Sequence, residues 1–179
     1  MNYSINWLTE QIKNGIHPDY LFFWGHTQKT AGITDKSCFS QWWPSPFTMD
    51  EITYPTAEHW MMANKALLFE DEEQYQNITT TASPGEVKKF GRAVKNFDAG
   101  IWDLKAYELV VAGNLHKFSQ NKALSTFLVN TRKLVIVEAS PVDKIWGIGT
   151  NAHETDPSKW NGLNLLGFAL MEVRDQLKK

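Results

Sequence analysis

Helix-start signals are the feature of this sequence that most constrains its fold. The clearest is Ser83-Pro84-Gly85-Glu86, which places a serine cap before a first-position proline and a third-position glutamate. It predicts a helix through about Val94. Capping residues or apolar residues at helical spacing predict five more helices, beginning after Ser4, Thr56, Asp98 and Asn121 and covering Leu165 to the end of the sequence.

Two short apolar runs are the candidates for strands. Tyr20–Trp24 is aromatic and stops at Gly25, and Leu134–Glu138 is rich in β-branched residues. Residues 25–55 carry several glycines and prolines and little periodicity, which predicts a long irregular connection of the kind that often carries function. The expected class is α+β and mainly α, with six or seven helices around a few short strands.

Length and charge narrow the function. A chain of 179 residues suits one domain over 1–179, and residues 1–20 are expected to be an N-terminal helical extension. Eighteen Lys and Arg against 20 Asp and Glu give a formal charge of -2, which disfavours a protein that grips nucleic acid through many phosphates.

Cysteine content and hydropathy point to a compartment. The single cysteine, Cys38, cannot form an internal disulfide, which fits a reducing environment. The start of the chain lacks a basic segment followed by a long apolar one, and no apolar run approaches the roughly 20 residues of a membrane span. We therefore expect a soluble, unprocessed cytoplasmic protein with no membrane partner.

Several motif classes have no match here. Nucleophile-elbow, Walker and dinucleotide-binding patterns do not occur, and no cofactor is expected. Five histidines stand too far apart in sequence to form a local ligand pair, so no metal is expected: His17, His26, His59, His116 and His153. The basic residues Lys88, Lys89, Arg92 and Lys95 are expected to form a solvated helix face.

The helix after Thr56 is a candidate for chemistry. Glu58 and Lys65 are seven residues apart, or about two helical turns, and so project along one side. Both side chains can therefore address one pocket.

Eight ordered blocks resemble the NADAR superfamily, the YbiA-like N-glycosidases. They extend from about Phe22 to the end of the sequence and are Phe22–Gly25, Trp43–Phe47, Tyr54–Ala66, Gly91–Val94, Phe97–Trp102, Lys117–Asn121, Glu138–Gly149 and Trp160–Gly167. The resemblance implies a mainly helical domain that cleaves the ribose C1–nitrogen bond of ribosylaminopyrimidine phosphates, early riboflavin-pathway intermediates, giving ribose 5-phosphate and a free pyrimidine.

Two alternatives remain open at this point. Other members of the superfamily remove ADP-ribose from guanine bases, so an ADP-ribosylated nucleic acid is a possible partner in place of a small phosphoribosyl substrate. The second alternative is a non-catalytic module that binds ADP-ribose or a nucleotide.

The resemblance assigns three residues directly: Glu58 as the acid near C1, Trp102 as the aromatic that stacks on the base, and Asp143 as a second acid. Cleavage develops positive charge on the sugar, which a carboxylate can stabilise while water attacks. Alternatively, Lys65 captures the ring-opened sugar as a Schiff base. The sequence leaves both routes open.

The matched blocks also supply candidate substrate-binding residues. Arg92 is the expected partner of the 5'-phosphate, with Lys95 as a weaker choice. Amides near Gly147 and Gly149 form either an anion-binding nest or a plain turn. Trp24 and Gln41 depart from the family pattern, which usually has a small residue and Asn there. The complete binding set is Trp102, Arg92, Trp146, Gly147, Trp24, Gly25, Gln41 and Asn121.

Overall fold

The computed structural model describes residues 1–150 and 154–178, and His153 lies outside them. This part of the chain has seven α-helices, which confirms the predicted mainly α, α+β class. In chain order the elements are α1 Ile5–Lys13, β1 Tyr20–Phe23, β2 Phe47–Met49, β3 Ile52–Tyr54, α2 Ala57–Leu68, α3 Glu72–Thr80, α4 Pro84–Arg92, α5 Ala99–Ser119, α6 Lys122–Asn130, β4 Val135–Glu138 and α7 Leu165–Leu177. Within the described ranges, no helix has both the length and the apolar character needed to cross a bilayer.

The chain forms two compact units. Unit 1 comprises residues 1–40 and the described residues from Lys122 onward, and unit 2 comprises residues 41–121. Unit 1 therefore contains α1, β1, α6, β4 and α7, and unit 2 contains the β2–β3 hairpin and helices α2 to α5. One domain over 1–179 stays a prediction.

Unit 1 is built on a parallel pair of strands. Tyr20 of β1 lies opposite Val135 of β4, and α7 packs on β4. The side chain of the fully buried Asn164 forms two hydrogen bonds with the backbone of β4. Its Oδ1 accepts from the amide of Glu138 (2.9 Å), and its Nδ2 donates to the carbonyl of Ile136 (3.0 Å), as the backbone of a neighbouring strand would. A Cβ atom at Gly167 would lie 2.1 Å from that Ile136 carbonyl oxygen, so the approach of α7 requires glycine.

Unit 2 is centred on α2, which packs against α3, α4 and α5 and has seven consecutive buried residues, 57–63. Glycines let two helices approach it closely. A Cβ atom at Gly91 of α4 would lie 2.1 Å from the Met62 sulfur, and one at Gly113 of α5 would lie 2.3 Å from Cδ1 of Trp60. The indole of Trp60 also donates to the carbonyl of Leu109 (2.9 Å), so α2 is fixed on two sides.

Most predicted helix starts are confirmed. Side chains of Ser4, Thr56, Ser83 and Asp98 each accept a hydrogen bond from the first turn that follows them. Helix α4 ends at Arg92, two residues before the approximate end predicted at Val94.

Two features differ from the sequence predictions. Helix α3 was not predicted, although Asp71 caps it by accepting from the amide of Gln74. The connection 25–55 is not irregular throughout, since β2 and β3 form an antiparallel hairpin. Its turn residues, Asp50 and Glu51, have left-handed φ angles of 48° and 68°, a conformation that glycine or asparagine usually signals in a sequence.

Candidate active site

The predicted site residues fall in both units. Unit 2 carries Gln41, Glu58, Lys65, Arg92, Trp102 and Asn121, and unit 1 carries Trp24, Gly25, Asp143, Trp146 and Gly147.

The start of α2 positions Glu58. Thr56 caps the helix by accepting from the amide of His59 (3.4 Å), and the amide of Glu58 donates to the carbonyl of Gln41 (3.0 Å). Glu58 is buried, with 7% of its surface exposed. The partial positive charge of a helix N-terminus favours a carboxylate in this first turn.

Gln41 has an unsatisfied donor group next to that turn. Its side-chain nitrogen is buried, and no described residue accepts a hydrogen bond from it. A buried amide without an acceptor is costly, so such a group is a ready donor to a ligand oxygen. This supports the sequence assignment of Gln41 to the binding set, which stays a prediction.

The ammonium of Lys65 lies in an aromatic setting. Its Nζ donates to the carbonyl of Gly91 (2.7 Å) and lies 4.0 Å from the ring centroid of Phe97 and 5.6 Å from that of Trp102. In the described part of the chain, no carboxylate forms an ion pair with this side chain. Partial burial lowers the pKa of Lys65 below its ordinary value, which favours the neutral amine. Two predicted site residues, Lys65 and Trp102, thus lie side by side.

Arg92 is the next residue after Gly91, whose carbonyl accepts the hydrogen bond from Lys65. Its side chain is exposed at the end of α4 and forms no hydrogen bond or ion pair with any described residue, so it is available to an anion. Lys95 is less suitable, because its ammonium pairs with Glu73 at 2.7 Å. Lys89 and Arg92 are exposed on α4 as expected, whereas Lys88 is half-buried, with its Nζ 5.8 Å from the Trp42 ring centroid. Lys95 is exposed but lies beyond the end of α4, so the prediction of a helix face is wrong for this residue.

Asn121 has a structural task. Its Nδ2 donates to the carbonyl of Lys117 (2.8 Å) near the end of α5 and to that of Pro46 (3.4 Å). These bonds explain the residue without a ligand, so its role in substrate binding stays a prediction.

In unit 1, Asp143 organises a turn. Its Oδ1 accepts from the amides of Ile145 (2.9 Å) and Trp146 (2.8 Å), while its own amide donates to Oγ of Ser140 (3.2 Å). The Ser140–Asp143 segment has the sequence of a helix start but forms no helix. Among the described residues, none donates to Oδ2, which leaves one carboxylate oxygen for other chemistry.

Glycines make the same turn compact. A Cβ atom at Gly147 would lie 3.0 Å from the carbonyl oxygens of Asp143 and Glu138, so a side chain here would crowd the backbone of the turn. The amide of Gly149 donates to the Asp143 carbonyl (3.0 Å). The anion-nest interpretation is therefore wrong for Gly149, and the turn interpretation holds there.

Trp24 and Gly25 follow the carboxyl end of β1. Trp24 is 64% exposed, which is high for an indole, and Gly25 has a φ of +80° that glycine adopts without strain. An exposed indole after a strand end suits contact with a ligand.

A comparison of the chain with known families decides the family. The NADAR domain profile matches residues 22–178. This chain belongs to the NADAR family. Its described fold agrees with that of a solved member, the NMR structure of Escherichia coli YbiA, with a TM-score of 0.71 and 26% identity over 91% of this chain and 87% of that one.

Relatives of this NADAR protein are named as enzymes. N-glycosidase R617 of Acanthamoeba polyphaga mimivirus is 42% identical over 165 residues, covering 88% of this chain and 95% of the relative. N-glycosidase YbiA of Escherichia coli K12 is 31% identical over 143 residues, covering 80% and 81%. The prediction of an enzyme that hydrolyses N-glycosyl compounds is thereby confirmed at this level.

Among the residues of the NADAR blocks that received no role from the sequence, two stand out in the structure. Lys117 is fully buried in α5, with its Nζ 5.2 Å from the centroid of Phe118. The sequence signal that could have indicated a buried lysine is its position directly before an apolar residue, Phe118, in a matched block. The second residue is Phe97, whose ring lies over Lys65. Elsewhere, the described residues contain no cluster of three potential metal ligands.

Proposed function

We propose that this NADAR protein hydrolyses the bond between ribose C1 and the exocyclic nitrogen of ribosylaminopyrimidine phosphates, of the type found early in riboflavin synthesis. The observation that carries the proposal is the pairing, along α2, of a buried carboxylate with a half-buried lysine whose ammonium has aromatic neighbours. A protein that only binds a nucleotide needs neither group at the anomeric carbon.

Glu58 supplies the negative charge. Departure of the nitrogen leaves cationic character on the sugar, and a carboxylate held in a buried site stabilises it strongly. The same group can take a proton from water or give one to the leaving nitrogen.

Lys65 supplies the nucleophile. The N-ribosylated amine opens to an imine at C1, and the neutral amine of Lys65 adds to this carbon. The pyrimidine amine then leaves with the two protons that the Lys65 nitrogen loses as its own imine forms. Water then hydrolyses the lysine imine, which releases ribose 5-phosphate and restores Lys65. The lowered pKa of Lys65 and its lack of an ion pair with any described carboxylate support this route over direct attack by water.

Three further residues of unit 2 supply binding groups. Trp102 offers a ring to the flat pyrimidine, and Arg92 has an uncommitted guanidinium for the phosphate. Gln41 has an amide donor suited to a carbonyl or hydroxyl oxygen.

Asp143 acts on the sugar or the leaving amine. Its Oδ1 is committed to the turn, so the role falls to Oδ2. The support for this assignment is the position of Asp143 in the matched block and the availability of that oxygen. Trp146, Gly147, Trp24, Gly25 and Asn121 complete the proposed binding set.

One experiment tests the proposal against its alternatives. The purified chain is incubated separately with a ribosylaminopyrimidine 5'-phosphate, with ADP-ribosylated guanosine and with free ADP-ribose, and released sugar phosphate and heat of binding are measured. We expect ribose 5-phosphate from the first compound alone. Release of ADP-ribose from the second compound identifies a guanine-directed hydrolase, and binding of ADP-ribose without any release identifies a non-catalytic module.

A further inference from the structure

Phe97 combines exposure with firm anchoring. This ring is 45% exposed, although it lies between two ordered helices. Exposed phenylalanine rings are ordinary when they stand alone, but this one is held from several sides, as the following contacts describe.

The backbone before Phe97 is fixed. The buried carboxylate of Asp71 accepts a hydrogen bond from the amide of Lys95 (2.7 Å). Asn96 then takes a left-handed φ of 56°, which turns the chain immediately before the ring. After the ring, Asp98 caps α5 by accepting from the amide of Ile101 (2.9 Å).

The ring itself rests on α2. Phe69, the buried residue that ends α2, meets Phe97 edge to face, with 5.3 Å between centroids and 68° between planes. Phe69 is the residue directly after the last turn of α2, the turn that carries Lys65. The helix that carries the lysine therefore also supports the ring that covers its ammonium.

The contact with Lys65 is short. Its Nζ lies 4.0 Å from the Phe97 centroid, inside the range of about 6 Å in which a ring attracts a cation. The Gly91 carbonyl accepts from the same nitrogen. A lysine side chain is flexible, and these two contacts hold its terminal nitrogen in one place.

We propose that Phe97 is a positioning residue for the reaction: its ring holds the Lys65 ammonium against the Gly91 carbonyl in the resting enzyme, so that the amine left after deprotonation approaches the sugar carbon from one geometry. The proposal rests on the proposed function of Lys65. Phe97 acts through Lys65 and takes no part in holding the base.

Kinetics of three Phe97 variants test the role. Phe97→Leu keeps an apolar side chain against Phe69 but removes the ring, and Phe97→Tyr keeps the ring. We expect kcat to fall by about tenfold in Phe97→Leu with KM within twofold of wild type, and kcat to recover in Phe97→Tyr. Phe97→Met repeats the test with a second apolar side chain if Phe97→Leu folds poorly.

A spectroscopic readout works without substrate. In the protein labelled with ¹³C-lysine, the ε-methylene signal of Lys65, identified by its loss in Lys65→Arg, should lie upfield because of the ring current of Phe97. It should move toward the other lysines in Phe97→Leu and stay in Phe97→Tyr. The matched control is Leu104→Ala, which removes another exposed apolar side chain, on α5, and should change neither readout.

Each result is decisive. An unmoved Lys65 signal or wild-type kcat in Phe97→Leu overturns the proposal, and a raised KM with unchanged kcat makes Phe97 a substrate-binding wall instead. If the wild-type chain releases no ribose 5-phosphate from the ribosylaminopyrimidine 5'-phosphate, the proposed function fails, and the lysine signal still decides whether Phe97 holds Lys65.

Discussion

His59 ties the first turn of α2 to the carbonyl of Thr81, to which its Nε2 donates a hydrogen bond of 3.1 Å. Because a carbonyl only accepts, the proton of the neutral ring resides on Nε2, and Nδ1 accepts from the hydroxyl of Thr56 (2.8 Å). The neutral imidazole therefore satisfies both partners, next to the carboxylate proposed for catalysis.

This bonding predicts acid sensitivity. Burial lowers the pKa of His59 below its ordinary 6.5, so the unfolded chain takes up this proton at a higher pH than the folded one. Stability should fall as the pH drops from about 6.5 through the folded pKa and then level off. Thermal melts between pH 7.5 and 4.5 should show a steeper loss for the wild type than for His59→Gln. Equal slopes would contradict this, and the exposed His17→Gln should behave as wild type.

Glu58→Gln keeps the shape of the side chain and removes its charge. If the carboxylate stabilises the cationic sugar, kcat should fall by roughly 10²–10³. Steady-state kinetics measure this effect. Glu86→Gln changes another first-turn glutamate, at the start of α4, and should keep full activity. Turnover of Glu58→Gln within threefold of the wild type would remove Glu58 from the mechanism.

Lys65 should be trapped by borohydride added during turnover. Reduction of the lysine imine should add one reduced sugar phosphate to the peptide of α2, which mass spectrometry detects. Lys65→Arg should be inactive, because a guanidinium stays protonated and cannot attack. Lys105→Arg replaces an exposed lysine of α5 and should still yield the adduct. Absence of an adduct together with activity in Lys65→Arg would establish direct hydrolysis.

Trp102→Ala should raise KM and lower kcat together, because the ring stacks on the base before and during cleavage. Trp102→Phe should recover part of both, since a smaller ring still stacks. Initial rates over a range of substrate concentrations separate the two constants. An unchanged KM in Trp102→Ala would show that this ring serves only the packing of unit 2.

Asp143 permits a clean separation of structure from chemistry. Asp143→Asn keeps an oxygen for the amides of Ile145 and Trp146 but removes the charge, whereas Asp143→Ala also removes the turn bonds. We expect Asp143→Asn to melt near the wild type and lose at least tenfold in kcat, and Asp143→Ala to lose stability as well. Full activity in Asp143→Asn would show that the Asp143 side chain only stabilises the turn.

The sequence predicted those features that depend on neighbouring residues. Thr56, followed by apolar residues at helical spacing, correctly predicted where α2 begins. The spacing of Glu58 and Lys65 predicted that both residues project from one side of this helix. Helix α3 was missed because Thr79 and Thr80 are poor helix formers and the helix gains stability from packing on α2 and α4.

The surroundings of Lys65 were beyond such reasoning. The two groups that contact the Lys65 nitrogen are distant in sequence, since Gly91 and Phe97 follow Lys65 by 26 and 32 residues. Tertiary packing brings both residues to the lysine, and no local sequence pattern predicts this contact. The hairpin was missed for another reason, since Asp50 and Glu51 are unusual residues for left-handed turn positions.

The parallel pairing of β1 with β4 has a consequence for biosynthesis. Residues 41–121 leave the ribosome as one continuous stretch, so α2 to α5 can make all their mutual contacts while translation continues. Strand β1 emerges before this stretch but pairs with β4, which is translated only after it, as is α7. Until then Tyr20–Phe23 lacks its partner strand, and an apolar strand with an unpaired edge is prone to aggregation in the nascent chain.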